Sequence, residues 1–194
     1  MPNADSRATF HLILLLAAVS AVCLATSVWF GLQFQQASGG FRILDLAFGG
    51  YEAADVLALR DQLIHPDQSP AAGILFRLYI GPDLVMPACF GILYALLLQK
   101  FASGGRMYGR DVTPGVMRAL MLLPLVYVLA DYGENALGLF YYFRAASSDE
   151  PGMIPKILPW LTATKFAFFF LNAILLVRFA VFRYWMPQNP DKRS

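Results

Sequence analysis

The chain reads as an all-α membrane protein, a four-transmembrane-helix bundle with a long outer loop between its first two helices. Three observations predict this. Of its 194 residues 58% are hydrophobic and 14% charged, and the apolar residues gather into long runs instead of alternating with polar ones. Four runs each exceed the about 20 residues that a bilayer crossing needs. Lys and Arg concentrate between the second and third runs and in the tail, as the positive-inside rule expects of cytoplasmic segments. The expected organisation is one domain over residues 1–187, with spans at about 9–32, 70–100, 114–143 and 158–183, an outer loop over 33–68 and a cytoplasmic tail over 188–194.

The first span follows Arg7 and closes on Trp29 and Phe30, aromatics suited to a membrane interface. It is longer than the about 7–15 residues of a signal h-region, so it reads as a retained helix. The sequence Ser20-Ala21-Val22-Cys23 is not a lipoprotein cleavage box, because Val22 is too large beside the cleaved bond. Ala17, Ala21 and Ala25 repeat at every fourth position and predict a close approach of another helix. Cys23 and Cys89 fit no zinc or redox spacing and read as small buried hydrophobes.

The outer loop is too long for a simple connector. Ser38-Gly39-Gly40 and Gly49-Gly50 signal turns. From Glu52 to Ile64, Val56, Leu57, Leu63 and Ile64 fall on one side of a helix, with Asp55, Arg60, Asp61 and Gln62 elsewhere. This predicts a short amphipathic helix, ended by His65-Pro66, that lies on the bilayer or caps the bundle as a lid.

Ser69-Pro70 and Thr113-Pro114 each place a capping hydroxyl before a first-turn proline, and so open the second and third spans. Arg77 in the second span is placed to snorkel toward the interface. Pro124 is expected to bend the third span, and Tyr141 and Tyr142 mark its far interface. The fourth span starts at Pro159-Trp160 and ends among Arg183, Tyr184 and Trp185, with Pro187 as its stop.

Orientation follows from the loops. Lys100, Arg106, Arg110 and Arg118 flank the middle connection, and Arg183, Lys192 and Arg193 mark the tail. The first loop sets Arg42 and Arg60 against Asp45, Glu52, Asp55, Asp61 and Asp67, and the third sets Arg144 and Lys156 against Asp149 and Glu150. Both termini are therefore expected in the cytoplasm and the first loop outside, in a multi-pass protein of the cell membrane, the inner membrane of a bacterium.

The third span carries Asp131, Glu134 and Asn135 in its interior, at i, i+3, i+4, hence on one helix face. An intramembrane charge costs about 2.5–3.5 kcal/mol on insertion scales and normally faces a bundle interior. Tyr127 and Gly138 extend the same face. Thr162, Lys165 and Asn172 share a face of the fourth span, and Tyr79, Asp83, Phe90 and Tyr94 form a stripe on the second. At a rise of about 1.5 Å per residue, Asp83, Glu134 and Lys165 come to similar depth in the outer half.

Asp83, Asp131 and Glu134 face a single Lys165. A low-dielectric site will not hold that excess negative charge bare, so at least one carboxyl is expected to be protonated or a cation to bind. Asp131 and Glu134 are the candidate acid–base (catalytic) pair, sharing a proton as a coupled unit. Asp83, Asn135, Thr162, Lys165, Tyr79, Tyr127, Asn172 and Arg77 are the candidate ligand-binding set. The competing reading is that these groups only glue helices together, at roughly 0.6–2 kcal/mol each. No metal site is expected: the histidines are His11 and His65, at opposite ends of the first span and its loop. The sequence names no cofactor. With a net charge of +2 there is no nucleic-acid signature.

Taken in order, Gly49-Gly50-Tyr51, then Arg77-Leu78-Tyr79 with Asp83 and Pro87, then Asp131-Tyr132-Gly133-Glu134-Asn135, then Thr162 with Lys165, resemble a group of small bacterial four-span membrane proteins. The resemblance covers residues 45–175. It implies the architecture and carries no activity across.

Three functions fit these residues. The first is binding or processing of a lipid-like or small amphiphilic molecule at the polar centre. The second is an accessory subunit that meets a partner membrane protein or a second copy of itself. The third is a proton-coupled transporter or channel subunit, in which a proton or cation occupies the acidic site. In each, the lipid bilayer is the first partner.

Overall fold

The computed structural model describes residues 4–64, 69–103, 106–107, 110–144 and 152–185. Four of its helical segments are long and apolar enough to cross a membrane.

Helix α1 runs over Ala4–Ala37, five residues beyond the predicted end at 32. Nothing from Gln33 to Ala37 breaks a helix, so it continues until glycine stops it. Gly39 adopts φ 71°, and the Gly40 N–H closes back on the Gln35 carbonyl at 2.9 Å, a Schellman ending. Leu16, Ser20, Ser27 and Phe34 are its buried positions. Ala17, Ala21 and Ala25 are exposed, so the small-residue stripe faces away from this chain's own helices.

Helix α2 spans Ala53–Ile64. The Glu52 N–H donates to Asp55 Oδ2 at 2.7 Å, satisfying one of its free first-turn donors. Its buried stripe is Val56, Leu59, Arg60 and Leu63, at i, i+3, i+4, i+7, and it packs on α3, α5 and α6. This corrects the expected face: Ile64 is exposed and Arg60 turns inward. Arg60 does so because Tyr141 offers it both a hydroxyl, 3.3 Å from Nη1, and a ring face 4.7 Å from its guanidinium carbon. His65, Pro66 and Asp67 lie outside the described residues.

The second run is two helices, not one: α3 over Ser69–Ile80 and α4 over Pro82–Ala102. Pro82 has no N–H to give the Leu78 carbonyl, and the Gly81 N–H takes that acceptor instead, at 3.3 Å. Gly81 sits at φ −104°, ψ −106°, where an added Cβ would stand 2.7 Å from the Arg77 carbonyl oxygen, so only glycine fits.

Two short strands, β1 (Arg106–Met107) and β2 (Arg110–Asp111), pair antiparallel after α4, where no strand was expected. Helix α5, Pro114–Phe143, is capped by Thr113, whose hydroxyl accepts from the Val116 N–H at 3.3 Å. Helix α6, Ile154–Trp185, starts four residues before the predicted 158 and carries Pro159 inside it. Pro159 has no N–H to give the Pro155 carbonyl, in the first turn. Pro187 and the tail over 188–194 lie outside the described residues, as do Asp149 and Glu150.

Helix α5 packs on α4 and α6, and α4 also contacts α6. Helix α1 packs on α4 and α3 and is not a main partner of α6. At one end of the bundle the Lys100 ammonium lies 5.9 Å from the Phe10 ring and Arg183 Nη1 donates to the Lys100 carbonyl at 2.6 Å, so α1 starts where α4 and α6 finish. An apolar cluster around Leu98, Leu120, Leu175 and Phe179 fills this hairpin end. A larger one, with Phe34, Val56, Leu75, Leu78, Tyr141 and Leu158, fills the opposite, loop end.

Candidate functional site

Between these two clusters lies a polar centre. Helix α5 contributes Asp131, Glu134 and Asn135, all buried, and α6 contributes Thr162 and Lys165, also buried. The Lys165 ammonium stands 2.5 Å from Glu134 Oε2 and 3.5 Å from Asp131 Oδ1. The third direction of Lys165 is filled by the Asp45 carbonyl, which accepts from Nζ at 3.1 Å.

Asp45 belongs to the loop after α1. Residues 43–50 form a strap around a 3-10 turn, Leu44–Leu46. Its backbone pairs internally: Leu46 and Ala47 N–H donate to Ile43 and Leu44 carbonyls, and Gly50 N–H to Ala47. Irregular backbone within a membrane requires such pairing. On one side Leu46 packs so near α1 that a Cβ on Gly31 would meet it at 3.3 Å. On the other, the Phe48 ring lies 4.5 Å from Phe166 and 6.5 Å from Phe170, centroid to centroid, halfway along α6. The strap therefore bridges α1 and α6 over the polar centre.

Tyr51 follows the strap and starts a chain of hydroxyls. Its Oη is 2.8 Å from Thr162 Oγ1 and 3.4 Å from Glu134 Oε1, and Thr162 in turn donates to Glu134 Oε1. Each hydroxyl has one proton. With Thr162 donating to Glu134, Tyr51 donates to Thr162, and the order runs Tyr51, Thr162, Glu134, Lys165, Asp131. Burial first, and then the Glu134 charge, push the Tyr51 phenol above its usual range, so it serves this chain as a neutral donor.

Asp83 opens α4 just after the Gly81 break. Ser27 of α1 donates to its Oδ1 at 3.0 Å. Asn135 Nδ2 donates to its backbone carbonyl at 3.1 Å. That carbonyl lacks its helical donor because position 87, four residues on, is proline. Tyr132 Oη caps the next carbonyl, Leu84, at 2.8 Å. Tyr79 is buried against Gly138, where a Cβ would come within 2.9 Å of its hydroxyl, and it faces the Asp45 carboxylate.

Toward the hairpin end the centre is closed by rings. Tyr127, one turn below Asp131, meets Tyr94 and Phe169 with centroids 6.4 and 5.8 Å away, and Phe90 completes the layer. The apolar cluster of Leu98, Leu120 and Leu175 lies beyond.

The structure thus gathers Asp83, Asp131, Glu134, Asn135, Thr162 and Lys165, with Tyr79 and Tyr127 at the rim. It does not bring in Arg77 or Asn172. Arg77 is exposed on α3. Asn172 is buried, but it sits about 10 Å further along α6 than Lys165 and donates to its own helix at the Phe168 carbonyl, 2.7 Å away. Three members escaped the sequence reading: Asp45, Tyr51 and Ser27. The signal for Asp45 was an acidic residue inside an apolar stretch, Ile43-Leu44-Asp45-Leu46, where a surface loop acid would have polar neighbours. Among the described residues no three His, Cys, Asp or Glu side chains are placed to hold a metal ion.

Comparison of the chain with protein-family models, with curated proteins and with solved structures gave no match.

Proposed function

We propose that the protein is a multi-pass membrane protein with cytoplasmic termini, whose acidic centre opens toward the outer half of the membrane and binds or processes a small amphiphilic molecule. The observation that carries this reading is the surplus of buried acids. Asp45, Asp83, Asp131 and Glu134 are all buried around one ammonium, that of Lys165. Pure helix glue needs paired partners, and unmatched buried carboxyls are costly. Asp131 and Glu134 lie either side of Lys165 and form the candidate proton-transfer pair.

The ring layer of Phe90, Tyr94, Tyr127 and Phe169 supports access from one side only, which favours binding over through-passage. An accessory role draws on a separate feature, the exposed Ala17, Ala21 and Ala25 stripe, which suits a helix of a second copy or of another subunit.

Native mass spectrometry from nanodiscs tests the reading. The wild type is expected to retain a small bound molecule that the Asp131→Asn/Glu134→Gln variant loses. A bare protein in both cases overturns it.

A further inference from the structure

We infer that the centre takes the positively charged amine of a membrane-dissolved amphiphile, admitted from the bilayer between α1 and α6 when the strap over residues 43–50 lifts. This rests on the binding function proposed above and adds the ligand's charge and its route.

The charge follows from what is left unmatched. Lys165 already meets Asp45, Asp131 and Glu134. Arg60, the other buried cation, is engaged with Tyr141 one layer away. Among the described residues no buried cation is therefore left to meet a phosphate or carboxylate head. On the acid side, Asp45 is 4% exposed and its Oδ2 has no hydrogen-bond partner. Asp45 stands at the centre, since its backbone carbonyl accepts from Lys165 Nζ at 3.1 Å. Asn135 Oδ1 also lacks a hydrogen-bond partner. Two acceptors without donors, among four buried acids and one ammonium, ask for N–H groups or a cationic head. The described acids do not converge tightly enough for a metal ion. Tyr51 and Tyr79 add ring faces of the kind that attract ammonium groups.

The route follows from the strap. Helices α1 and α6 leave the outer gap between them to Leu46 and Phe48. Phe48 is 68% exposed. Gly39 and Gly40, with φ 71° and 108°, precede the strap, and Gly50, with φ 78°, ends it. All three have open space where a Cβ would sit, and their left-handed backbone marks them as the hinge positions.

The probes are dodecyltrimethylammonium, dodecanoate and dodecyl maltoside, which share a chain and differ in head charge. Binding to the nanodisc-embedded protein is measured by calorimetry and native mass spectrometry. The expected result is one dodecyltrimethylammonium per chain, with neither other probe bound. Asp45→Asn keeps the shape, and is expected to weaken binding by about tenfold or more, equivalent to about 1.4 kcal/mol. A Gly31→Cys/Leu46→Cys disulfide in a Cys23→Ala/Cys89→Ala background is expected to block uptake, and reduction to restore it. If Asp45→Asn misfolds, the reducible lock still decides. Equal binding of the anionic or neutral probe, abolished by Asp131→Asn/Glu134→Gln, overturns this inference and leaves the binding function standing. Uptake unaffected by the lock overturns the route. No binding of any probe overturns both.

Discussion

Asn135 supplies the hydrogen bond that Pro87 withholds: its side-chain amide reaches the Asp83 carbonyl at 3.1 Å, four residues before the proline. A residue that reads as a ligand contact in the sequence thus also repairs a helix. The two residues lie on different helices, so the repair ties α5 to the start of α4 beside the acidic centre.

This coupling predicts a non-additive pair. Asn135→Ala is expected to destabilise the protein by about 1–3 kcal/mol, the cost of a buried acceptor left without a donor. In a Pro87→Ala background residue 87 regains its N–H, and the same change is expected to cost about 1 kcal/mol less. Unfolding of all four proteins in one detergent measures the cycle. Equal costs in both backgrounds would dismiss the repair.

Charge balance gives a second expectation. Lys165→Met leaves Asp131 and Glu134 facing each other without their ammonium, at an expected cost of about 3–5 kcal/mol. Adding Glu134→Gln to that variant removes one carboxylate and is expected to recover part of the loss. Thermal unfolding in nanodiscs decides, and a double variant no more stable than Lys165→Met would contradict the charge argument.

The Tyr51 phenol gives the pH dependence. Burial, followed by the Glu134 charge, raises it in the folded protein, while the unfolded chain titrates near its ordinary value of about 10. Above that value the unfolded state releases a proton that the folded state keeps, so stability falls as pH rises; below it the contribution is complete. Tyr51→Phe is expected to flatten the loss between about pH 10 and 11 relative to wild type. Denaturant midpoints across that interval are the readout, and parallel curves would count against a phenol held neutral by its surroundings.

The four membrane-length helices were legible because apolar runs of that length have few alternatives, and Asp131, Glu134 and Lys165 because charges inside such runs stand out. The Gly81-Pro82 break was passed over because hydropathy continues unbroken across it, although a Gly-Pro pair with its missing donor is itself a breaker signal. Arg60 was assigned outward because its inward partner, Tyr141, is 81 residues away and no local pattern points to it. Asp45 and Tyr51 were hidden for the same reason: the lysine and the threonine they meet lie on the last helix. Helical periodicity reports which face a residue occupies, and a strap without periodicity reports nothing until its contacts are known.

That last dependence sets an order of assembly. Synthesis runs from the N-terminus, so Asp131 and Glu134 leave the ribosome ahead of the residue that neutralises them. The strap, too, has only its α1 contact until Phe166 and Phe170 emerge. A nascent chain halted after α5 therefore carries an unbalanced acidic helix and an undocked loop, the exposed state that membrane quality control is built to detect. Maturation of this protein is completed by α6, whose lysine balances the acids and whose phenylalanines seat the strap in one event.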